Sequence, residues 1–312
     1  MYNYNTLCHD FLQYKKYLGY KYKTDTIVMN EIKKYLLDNQ IETITKEITE
    51  NYARLNPNLN SSTLARNMGV FREFCKYLKL QGINCYQIPN KLYPKKTQNY
   101  IPYIFTREEI KKIFSNLNIN DNNYRYTYSS KISYPIIIKI LYQTGMRIGE
   151  VLNLKIQDYN EEQGFFCIKD TKNEEERLVT LPDKLNEIIM KFHKKFHYNK
   201  SSNENFFEAK TGIIEKYFYK VLKFSGIERC ENSPRLHDLR HTFVVHSIEK
   251  LYNEGKDINA YLPILQTYIG HQSLESLAYY FHLTNNILKE INKISNEKLG
   301  YLIRSWGGDS NE

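Results

Sequence analysis

RLHDLRHTF, Arg235 to Phe243, is followed downstream by YIGHQSLESLAYYFHL, Tyr268 to Leu283. Together they supply His237, Arg240, His271 and two adjacent tyrosines, Tyr279 and Tyr280. A histidine three places before an arginine arises readily by chance and carries little alone. The full succession is more specific: H-D-L-R-H-T, then G-H, then Tyr280 nine residues after His271, then His282 two residues further on. Upstream stand TGMRIGEVLNL, Thr144 to Leu154, and TKNEEERLVTLP, Thr171 to Pro182.

This set of motifs, over about residues 100 to 283, resembles the catalytic domain of the tyrosine recombinase (phage integrase) family. The resemblance implies six site residues: Arg147, Lys172, His237, Arg240, His271 and Tyr280. Lys172 is reached by counting back from Arg177, as in the family's G-K-x-x-x-x-R hairpin. This chain departs from that pattern at Thr171 and Asn173, where glycines are usual, and at the acidic run Glu174 to Glu176. Leu277 stands where the family often has threonine. The implied activity is site-specific cleavage and rejoining of DNA through a 3′-phosphotyrosyl intermediate, by four protomers on two double-stranded sites. The alternatives are a type IB topoisomerase-like relaxing enzyme and a catalytically silent, sequence-specific DNA-binding protein.

The residue types suit that chemistry. Breaking a phosphodiester without a metal needs positive charge aimed at the non-bridging oxygens, where negative charge builds in the transition state. Arginine presents an always-charged planar fork that pairs with phosphate through two hydrogen bonds. Glu150, three residues past Arg147, offers a simple ion pair as the competing structural use. A tyrosine hydroxyl, with a reference pKa of about 10, must lose its proton as it attacks. The resemblance assigns that transfer to His237, a phosphate hydrogen bond to His271 and protonation of the departing 5′ oxygen to Lys172. One step along a helix turns a side chain by about 100°, so Tyr279 and Tyr280 cannot both face one phosphate. The interval from His271 selects Tyr280. His237 and His241 are four apart, a spacing zinc sites use, but no glutamate follows as in H-E-x-x-H. No metal and no cofactor are expected.

At 312 residues the chain exceeds a typical single domain, and 41% hydrophobic residues provide for real cores. The formal charge of +9 suits a polyanion-binding protein. Residues 1–100 hold 15 Lys and Arg against 8 Asp and Glu, so this third carries seven of the nine excess charges. The five cysteines are scattered and never in C-x-x-C spacing, which argues against a disulfide framework or zinc knuckle. The start has no basic-then-apolar signal layout, and the most apolar run, Tyr134 to Tyr142, is broken by Lys139. A cytoplasmic protein without a membrane segment is expected.

The expected fold is mainly α: a helical N-terminal core-binding (SAM-like) bundle over 1–86, a linker over 87–103, a catalytic domain over 104–283 and a tail over 284–312. In the bundle, Ser61-Ser62-Thr63 reads as a helix start. Leu64, Met68, Phe71, Cys75 and Leu78 then form one apolar stripe. Arg66, Arg72 and Lys76 lie opposite, and Lys15, Lys16, Lys21 and Lys23 form a second basic cluster. Both are candidate phosphate contacts against a bland reading as solvated faces. The linker contains Pro89, Pro94 and Pro102 with Lys95 and Lys96, an extended basic tether. Thr106 to Glu109 reads as a capping box opening the second domain. An apolar helix is expected over 135–142, and Gly164 to Lys169 with Arg177 to Leu181 reads as a hairpin of a small antiparallel sheet. Helices are expected at about 183–197, 211–224, 237–252, 259–269 and 274–281. In the tail, Ile287, Leu288, Ile291 and Ile294 recur at helical spacing. The resemblance implies that the bundle clamps DNA opposite the catalytic domain and that the tail is exchanged between protomers of a homo-tetramer.

Overall fold

The structure is a computed structural model that describes residues 2–20, 22–90, 92, 102–118, 127–169, 176–228 and 233–270. Lys21, the side chain of Lys23, Lys95, Lys96, Lys172, His271, Tyr279, Tyr280 and the 284–312 tail lie outside the described residues. The chain divides into two compact units, residues 1–100 and 101–312.

The first unit contains α1 (Tyr4–Tyr17), α2 (Lys23–Asp38), α3 (Lys46–Arg54) and α4 (Ser61–Leu80). α1 starts where Asn3 Oδ1 accepts from the amides of Asn5 and Thr6. α4 starts at the expected cluster, but its cap is the residue before it: Asn60, extended in backbone, accepts from Thr63 N at 2.7 Å. Such a cap contributes about 1 kcal/mol. The predicted stripe is the buried face, with Met68, Phe71, Cys75 and Leu78 all fully buried. It packs with Cys8 and Phe11 of α1 and Met29, Ile32 and Leu36 of α2 into one core. Full burial of each large apolar side chain stabilises this bundle by about 1.5–3 kcal/mol.

In the second unit, Thr106 and Glu109 form the expected capping box. Thr106 Oγ1 accepts from Glu109 N at 3.1 Å, and Glu109 Oε2 accepts from Thr106 N at 2.7 Å. This opens α5 (Arg107–Ser115). α6 (Tyr128–Thr144) begins earlier than its apolar run suggests, because Thr127 caps the polar first turn by accepting from Ser130 N. α6 ends at Gly145, left-handed at φ +65°. A short helix, α7 (Ile148–Asn153), follows. β1 (Tyr159–Asn160), β2 (Phe165–Ile168) and β3 (Arg177–Thr180) form an antiparallel sheet in that order, with Phe166 opposite Val179 and Ile168 opposite Arg177. Then come α8 (Asp183–Phe196), α9 (Thr211–Phe224), α10 (Asp238–Asn253) and α11 (Ile258–Ile269). The core includes Ile137 and Ile140 of α6, Val151 of α7, Phe166, Val179, Ile189, Phe218 and Leu239. Thr242 of α10 accepts from Phe105 N at 3.1 Å, so the entering chain is fixed to the helix that carries Arg240.

Candidate active site

α10 opens with His237 at its N-cap position, and the completely buried Asp238 accepts from Arg235 N at 2.7 Å. Arg240 follows in the first turn and is 2% exposed. Its Nη1 donates to the carbonyl of Gly145 and its Nη2 to the carbonyl of Ile269, each at 2.6 Å. These carbonyls lie at the C-terminal ends of α6 and α11, where helix dipoles concentrate negative potential and carbonyls lack intrahelical donors. A buried guanidinium is thereby satisfied by two helix ends that also need it.

Gly145 must be glycine for two reasons. Its φ is positive, and a Cβ there would stand 2.3 Å from Phe243 Cδ1. The turn after it delivers Arg147 to the N-cap of α7, with its side chain 40% exposed. Arg147 Nη1 donates to Glu150 Oε1 and its Nη2 to the carbonyl of Gly270, both at 2.8 Å. Glu150 therefore does pair with Arg147, but it also accepts from Arg177 Nη2 at 2.7 Å. Burial alone would raise the Glu150 carboxyl, but Arg177 and then Arg147 outweigh it and hold it below the ordinary carboxylate value.

His237 is exposed to solvent. The protein packed round its ring, and next the charges of Arg240, Arg235 and Arg147, disfavour its protonation and take it down to about 4. The ring is therefore neutral at physiological pH and able to accept a proton. His241 lies beside it, ring centroids 4.8 Å apart.

Of the six predicted site residues, the structure brings Arg147 and Arg240 to the end of α11, immediately before position 271, with His237 near enough for both guanidinium charges to act on it. The other three, Lys172, His271 and Tyr280, lie outside the described residues. Sequence reasoning missed the part played by Arg177, used above only as a counting mark. Its partners Glu150 and Tyr268 lie 27 and 91 residues away, so no local signal marked the role, although its place at the head of the strand Arg177-Leu-Val-Thr180 was one hint.

The predicted DNA contacts fare unevenly. Lys16, Arg66 and Lys76 are exposed. Lys15 is 7% exposed, with Nζ 2.9 Å from Glu73 and 5.3–5.8 Å from the ring centroids of Phe11, Tyr20 and Tyr22. Those rings and the carboxylate satisfy its charge inside the unit. Arg72 is also engaged, its Nε donating to Ile88 O and its Nη2 to Pro89 O, which fixes the segment after α4.

The family model for the phage integrase family matches residues 104–286. The chain belongs to the phage integrase family. It is 29% identical to the tyrosine recombinase XerA of Pyrococcus furiosus over 69% of this chain and 68% of that protein. It is 24% identical to a tyrosine recombinase of Pseudothermotoga lettingae over 91% and 89%. In fold it is similar to the XerH site-specific recombinase in a post-cleavage complex with palindromic difH substrate. That match has a TM-score of 0.64 at 21% identity and covers 94% of this chain and 85% of that one. A lambda integrase dimer on a COC′ core site matches with a TM-score of 0.60 at 16% identity, over 87% and 94%. This phage integrase family member is thus a site-specific DNA recombinase of the tyrosine class, with DNA as its partner. No described helix is long and apolar enough to cross a membrane.

Proposed function

We propose that Tyr280 attacks the target phosphate, forming a bond from its phenolic oxygen to phosphorus while the bond to the 5′ oxygen breaks. His237 takes the phenolic proton and Lys172 supplies one to the departing 5′ oxygen. Arg147 and Arg240 bind the non-bridging oxygens, and His271 adds a hydrogen bond. The phosphotyrosyl bond retains the energy of the phosphodiester, so the 5′ hydroxyl of a partner strand religates by the reverse step. The observation supporting this reading is the meeting of two arginine forks and a neutral histidine, from α7 and α10, beside the chain that enters His271. The reading extends to residues 1–86 as the core-binding domain, with Lys16, Arg66, Lys76, Lys95 and Lys96 on phosphates. It includes a cytoplasmic homo-tetramer with exchange of the 284–312 tail.

The test is covalent capture on the DNA to which the wild-type chain becomes linked in its host, presented as a nicked suicide substrate. Tyr280→Phe should abolish capture while retaining binding, and Tyr279→Phe should not. Capture by Tyr280→Phe would overturn the assignment.

A further inference from the structure

Three consecutive carbonyls at the end of α11 are each taken by a different arginine. Arg177 Nε donates to Tyr268 O at 2.9 Å, Arg240 Nη2 to Ile269 O and Arg147 Nη2 to Gly270 O. Two of these arginines are assigned to the phosphate above. The third, Arg177, is 8% exposed in its side chain. It opens β3, five positions after Lys172 in sequence, and its other end reaches Glu150, which holds Arg147 by both backbone amide and guanidinium. Gly270 gives it room: a Cβ there would lie 2.9 Å from Arg177 Nη1.

We infer that Arg177 is a positioning residue for strand cleavage, acting without touching DNA. One guanidinium joins β3 to the α11 terminus that leads into His271, and through Glu150 to the fork of Arg147. Lysine cannot reproduce this, because a single ammonium lacks the fixed divergence of Nε and Nη2 needed to reach the Tyr268 carbonyl and the Glu150 carboxylate together. Removing the fork releases one of the three ties on the α11 terminus and leaves Glu150 to pull Arg147 alone. Small misplacement of catalytic groups is costly, on the order of 10²-fold in rate. The inference rests on the recombinase reading for its effect on rate, but not for the clamp itself.

The full chain is compared with Arg177→Met, Arg177→Lys and the double variant Arg177→Met/Glu150→Gln. Deuterium uptake is followed in peptides covering 265–270, and single-turnover covalent capture is measured at saturating DNA, on the fragment that traps the wild type. Arg177→Met should raise uptake at 265–270 roughly tenfold. It should slow saturated capture about 10²-fold, with half-saturation within about twofold of wild type. Arg177→Lys should recover part of the rate, and the double variant should be no slower than Arg177→Met because both act through one link. Wild-type capture by Arg177→Met, or equal losses of rate and DNA affinity in both the Met and Lys variants, would overturn the inference. If the wild-type chain captures no DNA, the recombinase reading fails instead. Unchanged uptake in Arg177→Met would then still refute the clamp, and raised uptake would uphold it.

Discussion

Arg240 and Gly145 are 95 residues apart in sequence, yet Arg240 Nη1 donates to the Gly145 carbonyl at 2.6 Å. The bond joins α10 to the end of α6, and its companion from Nη2 joins α10 to the end of α11. An arginine assigned to the phosphate therefore also holds the walls of the site, whereas Arg147 stands partly in solvent.

That difference separates two substitutions alike in their chemical effect. Arg147→Ala and Arg240→Ala should each slow cleavage by about 10²–10³. Arg240→Ala should in addition cost about 2–5 kcal/mol of stability, since it strands two buried carbonyls, while Arg147→Ala should cost about 1 kcal/mol. Thermal melts beside the capture assay check this. Equal melting of the two variants would show that the Arg240 bonds contribute little.

Gly145→Ala should destabilise the chain by about 2–4 kcal/mol, combining a left-handed alanine with overlap against Phe243. Adding Phe243→Ala should recover the overlap part only. Denaturant unfolding of both singles and the double gives the coupling, and strictly additive losses would place the strain elsewhere.

His197 should make the second unit acid-sensitive. It is 6% exposed, its Nε2 lies 3.0 Å from the carbonyl of Phe206, and its Nδ1 lies 2.8 Å from His193 Nδ1. The carbonyl can only accept, so Nε2 carries the proton and Nδ1 accepts from His193. Burial, and next His193, take its pKa from 6.5 down to about 4. The unfolded chain then binds more protons between those values, so stability is full above about pH 6.5 and falls as pH drops toward 4. A loss of the order of 1–2 kcal/mol is expected after allowance for solvent screening. His197→Gln should flatten that slope in melts taken from pH 7 to 4.5, and an unchanged slope would exclude His197 as its source.

Lys15 and Arg66 should differ on DNA. Each phosphate neutralised steepens the fall of binding constant with salt by about 0.9 in a double-logarithmic plot. Arg66→Ala should reduce that slope by about one contact. Lys15→Met should leave it unchanged while lowering the melting temperature, because its charge is spent on Glu73 and three rings. A reduced slope for Lys15→Met would return that lysine to the interface.

Much of this was legible because it was local. The Thr106–Glu109 box, the 68-71-75-78 stripe and both ends of α9 follow from spacing within one or two turns. Arg147, His237 and Arg240 were legible as a pattern of types. The cage round Lys15 was not, since it assembles positions 11, 20, 22 and 73, none of which is unusual where it stands. α7 and β1 are too short, at six and two residues, to show a period. Arg177 was visible only as a landmark, for its partners Glu150 and Tyr268 lie 27 and 91 residues away.

The three carbonyls that close α11 also set a rule for how this sequence can drift. The carbonyls of Tyr268 and Ile269 are offset by about 100° around the α11 axis, and the left-handed backbone of Gly270 sets the third apart from both, so each meets its own arginine. Inserting or deleting one residue between Ile258 and Gly270 would rotate all three at once and hand each to the wrong partner. The exposed turn at Glu254–Asp257 carries no such constraint. Length changes should therefore accumulate in that turn and be excluded from α11, whatever happens to the identity of its outward side chains.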